Sequence, residues 1–177
     1  AITSRPRAVE AAVHLGLVSR RSNGTYYERL GHRVTFPIRD GTGRILGFGG
    51  RSLGDDLPKY LNSPESALFH KGRVLYGLFE AREAIRQAER VIVVEGYMDV
   101  LSLIEAGIAP VVASLGTAVT AEQLKLARRF APEIVMFFDG DPAGQQAAER
   151  AFEICAEAGI WGLGAFLPDG SDPDTYV

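Results

Sequence analysis

Cysteine, histidine and tryptophan are scarce in this sequence of 177 residues, which contains one cysteine, three histidines and one tryptophan. The single cysteine, Cys155, excludes an internal disulfide and a cysteine-rich zinc site within the chain. No apolar run approaches the roughly 18–20 residues that a membrane-spanning helix needs, and the first residues show no apolar signal-peptide core. We therefore expect no membrane contact and a reducing, cytoplasmic location. Because the sequence opens on Ala1 and stops abruptly at Val177, we also expect a fragment of a longer protein.

The composition is that of an ordinary globular protein, but the charge is unevenly distributed. The chain is 46% hydrophobic and 23% charged, with a formal net charge of −3. Residues 1–75 contain 12 Lys and Arg against 6 Asp and Glu, a balance of +6, whereas residues 76–177 contain 7 against 16, a balance of −9. A basic part beside an acidic part suits a polyanion held next to bound cations. Chance segregation of surface charge explains the same distribution about as well.

The N-terminal part predicts one short helix followed by antiparallel strands. The helix is expected to run from Ser4, as its N-cap, to about Gly16. Turn signals at Asn23–Gly24 and at 41–43 separate β-type runs, with strands expected over 33–38 and 44–51. Residues 54–78 contain two prolines and are expected to be irregular.

From Gly77 onward, predicted helices and strands alternate. Strands are expected over 90–94, 110–114, 133–138 and 161–168, and helices over 78–88, 96–107, 120–131 and 142–159. Thr120 and Gln123 match the capping box of a helix start. Ala148, Ala151, Phe152 and Cys155 give the longest helix one apolar stripe. This alternation predicts an α/β domain with a largely parallel sheet over 77–177, preceded by a small, basic α+β subdomain over 1–76.

Acidic residues follow three of the predicted strands. Glu95 comes directly after the first, Asp139 and Asp141 come after the third, and the last strand is followed by Asp169, Asp172 and Asp174. The carboxyl ends of neighbouring parallel strands share one edge of the sheet, so these acids are expected to converge there.

Converging carboxylates repel one another, and a multivalent cation removes that penalty. An all-oxygen donor set favours a hard cation, Mg²⁺ or Mn²⁺. On this interpretation, Gly140 and Gly144 keep the approach to the ions free of side chains.

Each acid taken alone also has a purely structural interpretation. Asp141 before Pro142 is a candidate helix cap, Glu95 could be solvated, and Asp169 could be a turn residue. The loop 114–120 could receive a phosphate on its backbone amides or brace the acidic strand ends, and a structural turn is the simpler interpretation.

Two strings, VIVVEGYMDVLSL and FFDGDPAGQQAAERA, resemble the Toprim domain. That domain is shared by bacterial primases, type IA and II topoisomerases, and some nucleases and recombination proteins. Upstream, FPIRDGTGRILGFGGR, PKYLNSPESALFHKG and LYGL resemble the bacterial DnaG-type primases just before their Toprim domain. The resemblance runs from about Arg33 to Val177 and is less distinct over 1–32.

The resemblance implies a Toprim fold with a mostly parallel central sheet flanked by helices. It implies catalytic, metal-binding roles for Glu95, Asp139 and Asp141. Further metal-site acids would be Asp172, with Asp99 and Asp174 in support. It also implies a set of residues that bind nucleotide and template, namely Arg51, Lys59, Tyr60, Asn62, His70 and Lys71.

The implied activity is that of a DNA primase, a DNA-directed RNA polymerase and nucleotidyltransferase that makes short RNA primers on single-stranded DNA during replication. Two or more Mg²⁺ or Mn²⁺ ions are implied, with no zinc in this fragment. The implied partners are single-stranded DNA, ribonucleoside triphosphates, the RNA–DNA primer duplex, and the replicative helicase through a domain absent here, all in the bacterial cytoplasm.

Two alternatives remain open. One is another Toprim enzyme, a topoisomerase or nuclease, although none of the six tyrosines is an evident topoisomerase nucleophile. The other is a non-catalytic fragment that binds nucleotide or metal.

Overall fold

The structure of the chain, a computed structural model, describes residues 6–116 and 118–177, without the side chain of Pro6. The predicted N-cap Ser4, and Thr117 of the predicted 114–120 loop, lie outside the described residues. The chain forms two compact units. The first runs to Ile38 and resumes over Ile45–His70, and the second comprises Arg39–Arg44 and Lys71–Val177. The predicted domain boundary between residues 76 and 77 remains a prediction.

The first unit contains one helix and short antiparallel strands. Helix α1 spans Pro6–His14, and the strands are β1 (Val18–Arg20), β2 (Tyr26–Glu28), β3 (Arg33–Arg39), β4 (Ile45–Ser52) and β5 (Tyr60–Asn62), with the end of β3 in the second unit. Strands β1 and β2 form an antiparallel hairpin, in which Arg20 lies opposite Tyr26. Gly24 adopts the left-handed conformation in the turn, with a φ of 84°, which favours glycine there.

Strand β5 corrects the prediction that residues 54–78 are irregular throughout. It is the third strand of the sheet β3-β4-β5 and pairs antiparallel with β4, so that Tyr60 lies opposite Arg51. Only three residues long and flanked by Pro58 and Pro64, it carries no periodic signal of its own. Its pairing with a distant strand therefore decides its conformation.

The second unit is an α/β domain, as predicted. Its helices are α2 (Leu78–Ala88), α3 (Tyr97–Glu105), α4 (Ala121–Arg128), α5 (Pro142–Ala158) and α6 (Pro173–Tyr176), and its strands are β6 (Arg90–Val94), β7 (Val111–Ala113), β8 (Glu133–Phe138) and β9 (Gly162–Phe166). The strand order is β7-β6-β8-β9, and all three neighbouring pairs are parallel. A 3-10 turn, Lys71–Arg73, and the short helix α6 were not predicted.

The core of this domain follows from its apolar patterns. The β-branched run of β6 places Val91, Val93 and Val94 in the interior, as expected for a strand covered on both faces. The predicted stripe on α5 is confirmed, since Ala148, Ala151 and Cys155 are buried and Phe152 packs against them. Within the described residues, no helix is both long and apolar enough to cross a bilayer.

Candidate active site

The parallel sheet of the second unit brings its acidic strand ends to one edge. Strands β6 and β8 are neighbours, with Val93 opposite Met136, so Glu95 and Asp139 follow adjacent strands. Strand β9 pairs with β8 on the other side, with Phe166 opposite Phe138. The segment after β9 packs at this edge too, where the Gly140 N–H donates a hydrogen bond to the Ser171 carbonyl at 2.8 Å. Asp172 therefore arrives at the same place.

The carboxylates at this edge interact electrostatically with one another. Burial, and then the charges of Asp139 and Asp99, raise the pKa of Glu95. Burial raises the pKa of Asp99 to about 6, although the hydrogen bond from the Gly96 N–H acts in the opposite direction. The charges of Asp139 and Asp172 add to the rise. The pKa of Asp139 is raised by burial and then by Asp172 and Asp141. Without a cation, this edge therefore resists full ionisation.

Glu95 carries the most direct sign of a missing partner. Its Oε1 atom is buried and has no hydrogen-bond partner, while its carboxylate accepts a hydrogen bond from the backbone N–H of Asp139. An unsatisfied buried acceptor among other carboxylates is costly unless a cation completes its contacts. The residues of this edge, which are oxygen donors, therefore fit a hard divalent cation.

Several of the same acids also accept hydrogen bonds from backbone N–H groups at the starts of helices. Asp99 Oδ2 accepts the Gly96 N–H at 2.8 Å, Asp141 Oδ1 accepts the Gly144 N–H at 2.7 Å, and Asp172 Oδ1 accepts the N–H and the hydroxyl of Thr175, each at 2.7 Å. Asp141 is thus the N-cap of α5, the structural interpretation that its sequence allowed. Each of these acids uses one carboxylate oxygen for its contact.

Asp169 and Asp174 stand apart from these caps. Asp174 accepts a short hydrogen bond from the Ser102 hydroxyl, which ties α6 to α3. Asp169 is exposed on the loop after β9, consistent with a turn residue.

The ligand set is close together without being preformed. In the part of the chain that the structure describes, no three His, Cys, Asp or Glu side chains are already arranged to hold an ion. Magnesium keeps several of its waters and uses few direct carboxylates. Binding at this edge would therefore combine side-chain rotation with water-bridged contacts.

The expected role of Gly140 and Gly144 is wrong. A Cβ on Gly140 would lie 2.2 Å from the Pro168 carbonyl oxygen, and one on Gly144 would lie 2.1 Å from the Asp139 carbonyl oxygen. The room that the glycines leave is filled by neighbouring backbone rather than kept open for an ion. They allow the chain to pack closely enough to place the acids.

The loop after β7 braces this edge. The Ser114 N–H donates to the Val94 carbonyl at 3.1 Å, and the Gly116 N–H donates to the Glu95 carbonyl at 3.2 Å. These two amides are therefore engaged with the strand end and not presented to a phosphate.

Four of the predicted nucleic-acid residues of the first unit form a cluster on β4, on β5 and directly before β5. The Arg51 guanidinium carbon lies 6.0 Å, and the Lys59 Nζ 5.9 Å, from the centroid of the Tyr60 ring, and the residue Tyr60 is 39% exposed. Asn62 lies two residues further along β5, on the side of the strand that Tyr60 occupies. Two cations beside an exposed ring suit a phosphate backbone with a stacked base.

Two predicted residues do not join this cluster. His70 is exposed and bonds Glu65, with 3.0 Å between the His70 Nδ1 and the Glu65 Oε2. Lys71 belongs to the second unit, in the 3-10 turn. Sequence reasoning also missed Asp55 and Asp56, which line a pocket together with Arg51 and Lys59 and reduce its positive charge.

Comparison with known proteins gives consistent matches along the chain. The model of the family described as "DNA primase catalytic core, N-terminal domain" matches residues 2–82, and the "Toprim-like" model matches residues 92–177. The DNA primase of Pasteurella multocida is 52% identical over 166 residues, which cover 92% of this chain and 28% of that protein. The chain thus spans less than a third of this curated relative.

Solved structures are similar over nearly the whole chain. The Escherichia coli primase catalytic core superposes with a TM-score of 0.92 at 47% identity, covering 98% of this chain and 56% of that one. A DnaG primase catalytic domain bound to single-stranded DNA superposes with a TM-score of 0.91 at 46% identity, covering 98% of this chain and 57% of that one.

Proposed function

The chain belongs to the family of bacterial DnaG-type DNA primases and spans part of their catalytic core, and from this premise we propose that it serves the synthesis of short RNA primers on single-stranded DNA. The reaction is nucleotidyl transfer, in which a 3′-hydroxyl attacks the α-phosphate of a ribonucleoside triphosphate and pyrophosphate leaves.

The observation that carries this proposal is the acidic edge with the unsatisfied Oε1 atom of Glu95. Glu95, Asp139 and Asp141 would hold the catalytic Mg²⁺ or Mn²⁺, with Asp172 beside them. Asp99 and Asp174 would support them. When bound, such ions lower the pKa of the attacking hydroxyl and neutralise charge on the phosphate oxygens.

The cationic cluster of the first unit supplies the nucleic-acid contacts in this proposal. Arg51 and Lys59 would neutralise backbone phosphates, and the exposed ring of Tyr60 would stack on a base. The relative solved with single-stranded DNA supports this partner. Asn62, His70 and Lys71 remain predicted nucleotide or template ligands. The triphosphates, the primer duplex, the helicase and the cytoplasmic location also remain predictions.

Incubation of the chain with single-stranded template, ribonucleotides and Mn²⁺ or Mg²⁺ tests the proposal. Short RNA products are expected, and Asp139→Ala should abolish them because it removes a cation ligand from the sheet edge. The matched control is Asp169→Ala, which removes an exposed acid from the loop after β9 and should leave RNA synthesis unchanged. Equal primer yield from Asp139→Ala would reject the assignment.

Other products would favour the alternatives. Cleaved DNA would indicate a Toprim nuclease or topoisomerase. Metal-dependent nucleotide binding without any product would indicate a non-catalytic module.

A further inference from the structure

We propose that Gln123, together with Thr120, is a positioning residue that fixes the turn carrying Lys71 relative to the acidic strand ends, and thereby sets the affinity for nucleotide. The inference rests on the proposed function, because it takes Lys71 as a nucleotide ligand. All of the residues concerned belong to the second unit.

The side chain of Gln123 is fully buried and bonded at both ends. Its Nε2 group donates to the carbonyls of Lys71 and Val74, both at 2.9 Å, and to that of Ser114 at 3.3 Å. Its Oε1 atom accepts the Thr120 N–H at 3.0 Å. One amide group has two N–H bonds, so three carbonyls share them.

Thr120 adds a second attachment to the same turn. Its hydroxyl donates to the Gly72 carbonyl at 2.5 Å and accepts the N–H of Gln123 at 3.1 Å. A Cβ on Gly72 would lie 3.3 Å from the Thr120 methyl group, so glycine allows this approach. The carbonyls of Lys71, Gly72 and Val74 therefore all accept hydrogen bonds from side chains at the start of α4.

These contacts exceed what a helix cap requires. A capping box needs only the reciprocal bonds between Thr120 and Gln123. The bonds to residues 71, 72, 74 and 114 instead join α4 to two other segments. Burial of an amide group in an apolar interior costs free energy unless the group is hydrogen-bonded, and the Gln123 amide is hydrogen-bonded at both ends.

The same hydrogen bonds lead to the acidic edge. Ser114, whose carbonyl Gln123 binds, donates its own N–H to the Val94 carbonyl at 3.1 Å. Tyr76 and Ala113 exchange two backbone hydrogen bonds, at 2.9 and 3.0 Å, which tie the segment after the turn to β7. The backbone of Lys71 is thus connected through Gln123 to the strand end that carries Glu95.

The position of the Lys71 backbone limits where its ammonium group can meet a triphosphate. Loss of one hydrogen bond between a charged side chain and a ligand weakens binding by about tenfold or more. Loss of the Gln123 bonds should therefore weaken nucleotide binding even in a folded protein.

The test is a set of variants assayed for binding of a fluorescent ATP analogue in the presence of Mn²⁺, with thermal melting measured in parallel. Gln123→Met keeps the approximate size of the side chain and removes all of its hydrogen bonds. It should raise the Kd at least about tenfold at a temperature where it is fully folded. The matched control is Gln87→Met, at an exposed position on α2, which should bind as the wild type does.

A second pair keeps the inference testable if Gln123→Met does not fold. Thr120→Val removes the hydroxyl that binds Gly72, whereas Thr120→Ser retains it. We expect Thr120→Val to raise the Kd and Thr120→Ser to restore wild-type binding.

A double-mutant cycle separates positioning from general stability. In a Lys71→Ala background, Gln123→Met should weaken binding no further, because it acts through Lys71. An unchanged Kd in folded Gln123→Met, or an equal loss of binding with and without Lys71, would overturn the inference alone. If the wild type shows no metal-dependent nucleotide binding, or if Lys71→Ala binds normally, the nucleotide site itself is refuted and the inference with it.

Discussion

Gly144 offers the sharpest test of how the acidic edge is built. In an exposed helix, Gly→Ala stabilises by about 1 kcal/mol. At Gly144, however, the new Cβ would lie 2.1 Å from the Asp139 carbonyl oxygen and 2.9 Å from its nitrogen. Relief of that contact needs a backbone shift of about 1 Å, and overpacking of this kind costs about 1–3 kcal/mol. We expect Gly144→Ala to be destabilised by about 2 kcal/mol, which lowers Tm by about 4–8 °C in a chain of this size.

The metal response should change with the stability, because the displaced backbone belongs to Asp139. Thermal melts in EDTA and in Mn²⁺ measure both effects. Wild-type protein should gain Tm with Mn²⁺, whereas Gly144→Ala should gain little. The control is Gly54→Ala, where a Cβ would meet nothing within 4 Å, and it should behave as the wild type in both melts. Wild-type stability and an equal Mn²⁺ gain in Gly144→Ala would refute the close packing of α5 on Asp139 as the basis of the site.

Three further predictions follow from the same structure. Lys59→Ala should weaken binding of single-stranded DNA and reduce the slope of log K against log salt by about 0.7, as measured by fluorescence anisotropy, and an unchanged slope would contradict a phosphate contact. In EDTA, the pKa of Asp99 is raised from 3.8 in the unfolded chain to about 6 in the folded one. Protonation of Asp99 therefore stabilises the fold fully below pH 3.8, and this stabilisation is lost as the pH rises through 6. Asp99→Asn should therefore lose less Tm than the wild type over that window, and an equal loss would exclude Asp99 as its source. Ile85→Ala, at a fully buried position of α2, should cost about 2–5 kcal/mol in urea unfolding, and a cost below about 1 kcal/mol would contradict its place in the core.

The regular elements of the second unit could be predicted because their signals are local. The run of β6 and the stripe of α5 report burial directly from residue type and spacing. Strand β5 gave no such signal, since three residues between prolines form a strand only when β4 supplies the hydrogen bonds. Helix α6 has only four residues and begins after its N-cap, Asp172. Elements of three or four residues are decided by tertiary contacts that a sequence window does not contain.

The sequence predicted which acids form the candidate site, but not the backbone packing that positions them. Strand ends in a parallel sheet meet at one edge, so Glu95, Asp139 and Asp141 could be grouped from order alone. The true role of Gly144 depends on the path of the backbone at Asp139. For Gln123, only the capping box with Thr120 could be predicted. Its other hydrogen-bond partners lie up to 52 residues away in the sequence.

The sequence left two roles open for Asp141, helix cap and metal ligand. The structure is compatible with both. One oxygen of Asp141 holds the Gly144 N–H and so fixes the start of α5 against β8. Asp172 does the same as the N-cap of α6, and Asp99 accepts the N–H of Gly96, the N-cap of α3. A carboxylate that caps a helix is held in place by that bond, and its second oxygen can face a cation without further ordering of the side chain. At this edge, burial and then repulsion between the carboxylates raise the pKa values of Glu95, Asp99 and Asp139, which shows that their ionised forms are held there at a cost. A divalent cation would remove this cost, so the fold of the second unit and its affinity for metal should be linked.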